Sequence, residues 1–193
     1  MFYYLARGLA ALYMILFHRI SLEGMENIPK TGPVLVFANH PSAFDMVLIG
    51  ARMKRKIHFM AKAELFANPF IAMIIRGVGA FPVHRGRGDA GSVKNALALL
   101  EQGEIVGIFP EGTRTRKRNL ERKKGGAALI AYHADVPIVP VAVDGHYHIF
   151  CRMRIIFGKP FLLPKPEGAK ADKEDLYLGT SIILDRIYEL IGQ

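Results

Sequence analysis

Residues 39–45 read Asn-His-Pro-Ser-Ala-Phe-Asp, which sets an ionisable His40 five positions before Asp45 among apolar neighbours. A carboxylate that accepts from one imidazole nitrogen fixes the tautomer and leaves the other nitrogen as a base near neutral pH. Such a pair could take a proton from a substrate hydroxyl. A structural account fits the same spacing: Ser42 and Asp45 form S-x-x-D, a capping box in which Ser42 caps a helix and Asp45 favours its positive end. That account gives His40 no task. Ser42 is a weak nucleophile candidate, because the chain lacks G-x-S-x-G and a capping hydroxyl is already engaged.

A second cluster follows the apolar run that ends at Phe109, where Glu111, Gly112, Thr113 and Arg114 are consecutive. Seven basic residues fall within residues 114–124, opposed by Glu121 alone. For residues 116–124 a solvated loop is an adequate explanation. Arg114, at the end of a predicted strand, has a guanidinium fork suited to holding phosphate oxygens bidentately. Nucleic acid is not the expected partner, since residues 111–124 offer no aromatic side chain on which a base could stack. A third pattern, Gly86 to Gly91, matches G-x-G-x-x-G between a predicted strand and a predicted helix, with Glu111 twenty residues beyond its final glycine. By spacing alone this is a dinucleotide-binding fingerprint. Glycines at a tight turn need no ligand, however, and this reading leaves His40, Asp45 and Arg114 unused.

These residues need a scaffold, and the apolar periodicity predicts one. Residues 33–38, 57–61, 80–84, 104–109, 137–143 and 153–157 read as strands. Residues 42–53, 64–75 (interrupted by Pro69), 92–103, 125–134 and 175–190 read as helices. Strands separated by helices predict a single α/β domain with a largely parallel, mixed sheet flanked by helices. His40 would then lie at the carboxyl end of a strand, where ligand crevices form. No internal repeat is present, and the linker-like residues 158–170 come too late to divide a chain of 193 residues.

The formal net charge of +9 suits an anionic partner such as a phosphorylated substrate or an anionic lipid. A single cysteine, Cys151, excludes an internal disulfide framework and a cysteine-built zinc site, which suits a reducing, cytoplasm-facing compartment. Residues 2–17 are apolar apart from Arg7 and would form a helix about 24 Å long, short of the roughly 20 residues that span a bilayer. No small-residue cleavage site follows, His18 and Arg19 close the stretch, and aromatic residues open it. Residues 1–20 are therefore expected to be a retained helix at a membrane interface, and residues 21–193 the folded domain. A core helix of a soluble domain is the alternative.

Taken together, N-H-P-S-A-F-D (39–45) resembles the N-H-x-x-x-x-D box of the glycerolipid acyltransferases, and F-P-E-G-T-R (109–114) resembles the second signature of that family. G-A-F-P-V-H-R (79–85) and V-P-I-V-P-V (136–141) are similar to its two lesser boxes. The resemblance implies transfer of a fatty acyl group from a thioester, on coenzyme A or acyl carrier protein, to the free hydroxyl of 1-acylglycerol-3-phosphate. Glycerol-3-phosphate or another lyso lipid is the alternative acceptor. It implies His40 as general base oriented by Asp45, direct attack without an acyl-enzyme, and no metal or other cofactor. It further implies that Glu111, Gly112 and Thr113 help to place the acceptor and that Arg85 and Arg114 hold its phosphate. A lipid-binding protein without turnover and a dinucleotide-dependent oxidoreductase remain the readings from other classes.

Overall fold

The computed structural model describes residues 2–84, 90–115, 125–166, 168 and 170–193. In chain order the helices are α1 (Phe2–Phe17), α2 (Asp45–Arg52), α3 (Pro69–Gly77), α4 (Ala90–Glu101), α5 (Gly126–Ala134) and α6 (Lys173–Glu189). The strands are β1 (Arg19–Glu23), β2 (Val34–Ala38), β3 (Ile57–Lys62), β4 (Phe81–Val83), β5 (Ile105–Ile108), β6 (Ile138–Gly145) and β7 (Arg152–Phe157). The seven strands form one sheet in the order β1-β7-β6-β2-β5-β3-β4. Every neighbouring pair is parallel except β6 and β7. The expected α/β fold with a largely parallel mixed sheet is therefore what the chain adopts.

Alternation along the strands splits the core into two layers. Leu35, Phe37, Val106 and Ile108 face one side, where they pack on Ala96 and Leu100 of α4, Ile130 of α5 and Ile183, Ile187 and Tyr188 of α6. Val34, Val36, Ile105, Val139 and Val141 face the other, against Met14 of α1, Leu48 and Ile49 of α2 and Met53 just beyond it. All five residues of β2 are buried, as expected of a strand covered on both faces.

Two local expectations differ from the fold. The expected interface helix of residues 1–20 ends at Phe17: Arg19 and Ile20, with residues 21–23 that carry no assignment in the sequence pattern, form edge strand β1, whose every paired residue lies on β7. Four of its five residues are exposed, so the only signal was a short polar and apolar alternation. Pro69 opens a helix instead of interrupting one: residues 63–66 form a separate 3-10 turn, and Asn68 caps α3 by accepting from the N–H groups of Phe70 and Ile71. Proline suits the first helical position, where its missing N–H costs nothing and its fixed φ is helical.

Candidate active site

Parallel β2 and β5 are neighbours, so the segments leaving their carboxyl ends meet at the middle of the sheet. Asn39 steers the first of them. Its amide takes the place of a ladder pair, donating to Val143 O at 2.9 Å and accepting from Val143 N–H at 2.8 Å. The main chain then turns upward at His40, which is held from both sides by the segment after β5. His40 N–H donates to Glu111 Oε2 at 3.3 Å, and His40 O accepts from Thr115 N–H at 2.9 Å.

The His40 side chain is equally constrained. Its ring lies 3.9 Å from the Phe109 ring at an interplanar angle of 17°, and Phe109 in turn stacks on Phe59. Gly107 makes room for that stack, because a Cβ there would come within 2.5 Å of the Phe59 ring. Nδ1–H of His40 donates to Asp45 Oδ2 at 2.9 Å. Nε2 bonds no described residue.

Asp45 is the first residue of α2 and is wholly buried, at 0% exposure. Its Oδ2 also accepts from Ser42 N–H at 2.8 Å, and its Oδ1 accepts from the Tyr147 hydroxyl at 2.5 Å. The expected capping box is thus only half formed. Ser42 Oγ accepts from Phe44 N–H, and the helix begins at Asp45, three residues later than the pattern suggested. The physical reason is that the Asp45 carboxylate turns back toward His40, which draws residues 42–44 into a turn.

Glu111, expected from the resemblance to help place the acceptor, is 5% exposed and has both oxygens in use. Oε2 takes His40 N–H, and Oε1 takes the hydroxyl of buried Tyr188 on α6 at 2.5 Å. Burial pushes its carboxyl above the ordinary value of 4.5, against the opposing hydrogen bonds from Tyr188 and His40. Its geometry is that of a brace under His40. Buried in this way, Glu111 is not presented to solvent for the ribose contact that the dinucleotide fingerprint would require. Gly112 has a left-handed φ of 63° and closes a turn back to Phe109 O, a conformation that favours glycine. Thr113 is half-buried and Arg114 exposed, and Arg114 bonds no described residue. Arg114 is nevertheless localised, since the next residue donates to His40 O. Arg85, Gly86 to Asp89 and the basic residues 116–124 lie outside the described residues.

An apolar cavity of about 280 Å³ lies between α1, α2, β3 and α3. Tyr3 of α1, Met46 and Val47 of α2, Phe59 of β3, and Ile74 of α3 contribute to its walls. Met46 and Val47 directly follow Asp45, and Phe59 is one ring removed from Phe109. The sequence pattern assigns no role to Asn39, Phe109, Tyr147 or Tyr188. Asn39 and Phe109 stood inside the boxes and could have been singled out as a polar strand end and a ring beside a histidine. The tyrosines carried no such signal.

The family model described as Acyltransferase matches residues 19–144, which carry His40, Asp45 and the turn at 111–114. The 1-acyl-sn-glycerol-3-phosphate acyltransferase of Bacillus subtilis is 35% identical over 178 residues, covering 89% of this chain and 87% of the relative. That of Borreliella burgdorferi is 30% identical, over 88% of this chain and 70% of the relative. The crystal structure of the 1-acyl-sn-glycerophosphate acyltransferase PlsC from Thermotoga maritima superposes with a TM-score of 0.69 at 26% identity, covering 98% of this chain and 79% of that one. A family match across most of the fold, coinciding with the residues that the geometry brings together, shows that the chain belongs to the acyltransferase family.

Proposed function

We propose that this chain is a 1-acylglycerol-3-phosphate O-acyltransferase that uses the His40–Asp45 pair as its base. The observation that carries the proposal is a buried Nδ1–H to carboxylate bond that leaves Nε2 open at the strand ends, in a member of this family. Nε2 takes the proton of the sn-2 hydroxyl as its oxygen attacks the carbonyl carbon of the acyl thioester, and Asp45 stabilises the imidazolium. Collapse of the tetrahedral intermediate breaks the carbon–sulfur bond, and the departing thiolate recovers the proton from His40. The products are phosphatidic acid and the free thiol carrier, coenzyme A or acyl carrier protein. No covalent acyl-enzyme is needed, and no metal or other cofactor enters the scheme.

Arg114, together with Arg85, would hold the acceptor phosphate, and Gly112 and Thr113 would shape the turn beneath it. Fixing the phosphate brings the hydroxyl to the base, a proximity effect. Glu111 acts through His40 by holding its main chain. The apolar cavity, lined by residues adjoining Asp45 and Phe109, suits an acyl chain.

Residues 1–20 would form the membrane-interface element of an acyltransferase domain spanning residues 21–193, seated on the cytoplasmic leaflet where acyl thioesters are made. On α1, Met14 is buried while Leu5, Leu9, Leu12, Ile15 and Leu16 are exposed, and Phe70 and Met73 of α3 extend the apolar surface. Among the described residues no helix is long and apolar enough to cross a membrane, so α1 would lie in the interface.

The purified chain, given palmitoyl-CoA in detergent micelles, should form phosphatidic acid from lysophosphatidic acid faster than it acylates glycerol-3-phosphate or lysophosphatidylcholine. Transfer to none of these, from either thioester carrier, would contradict the proposal. The chain should also sediment with vesicles containing phosphatidylglycerol. Replacing Leu5, Leu9 and Leu12 together by Ser should lower that partitioning by roughly a hundredfold, at about 1 kcal/mol for each leucine. Unchanged partitioning would remove α1 from the docking face.

The raised carboxyl of Glu111 has a pH signature of definite sign. Above pH 4.5 the unfolded state releases a proton that the folded state keeps, so stability from the neutral carboxyl is complete below 4.5 and is lost as the pH climbs through the raised value. Urea unfolding at successive pH values should therefore show wild type losing ground to Glu111→Gln across that interval. A difference that does not vary with pH would count against a perturbed Glu111.

A further inference from the structure

Tyr147 lies between β6 and β7, outside all four boxes, in a loop hooked onto the end of α1: Phe150 N–H donates to Phe17 O at 2.7 Å, and Arg19 N–H to Cys151 O at 3.3 Å. The loop crosses Phe150 at a left-handed φ of 65°, which a non-glycine residue adopts only when its surroundings fix the chain. Its half-buried ring packs on the core layer that contains α2. Its hydroxyl reaches the carboxylate of the dyad.

The distribution of donors on Asp45 makes that contact consequential. Oδ2 is shared by His40 Nδ1–H and Ser42 N–H, while Oδ1 has the Tyr147 hydroxyl as its one hydrogen-bond donor among the described residues. A wholly buried carboxylate oxygen left without a donor is costly, and the group relieves the cost by rotating about Cβ–Cγ to seek one. Rotation would pull Oδ2 away from His40 and release the imidazole from its orientation. Building on the proposed function, we propose that Tyr147 is a positioning residue of the acyl-transfer site, its hydroxyl locking the Asp45 carboxylate so that Oδ2 remains on His40 Nδ1. The substrate never touches it.

Tyr147→Phe keeps the packed ring and deletes only the donor. In acyl transfer from palmitoyl-CoA to lysophosphatidic acid, kcat should fall about tenfold to a hundredfold while the KM values of both substrates stay at wild-type values and the Tm drops by only about 5 °C. The low-field proton resonance of His40 Nδ1–H, assigned by its loss in His40→Ala, should move in the same variant. A second probe places 3-fluorotyrosine at position 147, which sharpens the donor acidity with little change in shape, and should also move that resonance. A wild-type kcat, a change confined to KM, or a resonance unmoved by either replacement would overturn the proposal. Should Tyr147→Phe fail to fold, the fluorotyrosine protein decides alone. If the wild type transfers no acyl group at all, the functional reading fails, yet the resonance still tests the contact between Tyr147 and Asp45.

Discussion

Asp45 holds a carboxylate with no exposure to solvent, and in that position a charge is tolerable only when donors surround it. The three donors come from three parts of the chain: His40 at the end of β2, the Ser42 main chain in the turn before α2, and Tyr147 in the loop before β7. Satisfying Asp45 therefore fixes all three segments at once. The helix start, the direction of the imidazole and the seat of the β6–β7 loop all follow from one buried charge. Hydrogen bonds to an ionised group contribute about 1.5–3 kcal/mol each, enough to hold irregular backbone that the sheet does not reach.

A second carboxylate, Glu111, completes the constraint from below. It ties the His40 main chain to α6 through Tyr188, while the stack of Phe59, Phe109 and His40 fixes the ring from the side. The sheet makes both arrangements possible because β2 and β5 are parallel neighbours whose carboxyl ends emerge together. Where the two boxes are about 70 positions apart in the chain, His40 and Glu111 are in direct contact. Nε2 bonds none of the described residues, and that asymmetry is what the proposed general base requires.

Much of this was legible in the sequence, for reasons that particular residues make clear. β2 and β6 stand out because burial on both faces demands continuous apolar runs, as in Val34–Ala38. The dyad stands out because its partners are five positions apart. The strand order is not written in local pattern, and neither is β1, which depends on pairing with residues 152–156. Tyr147 and Tyr188 escaped notice because their partners lie 102 and 77 positions away. Tyr188 looks like one more core residue on the apolar stripe of α6, and Tyr147 like one aromatic in an exposed loop. Pro69 misled because its meaning depends on whether a cap precedes it, and Asn68 supplies that cap.

Every role proposed for the site depends on His40 acting as the base. The most direct measurement compares acyl transfer from a long-chain acyl-CoA to lysophosphatidic acid by the wild type and by His40→Ala, with the Tm of each. Removing a general base should slow turnover by about a hundredfold to ten-thousandfold in a variant that still melts as a folded protein. A folded His40→Ala that retains wild-type turnover would contradict the account and leave His40 and Asp45 as structural residues.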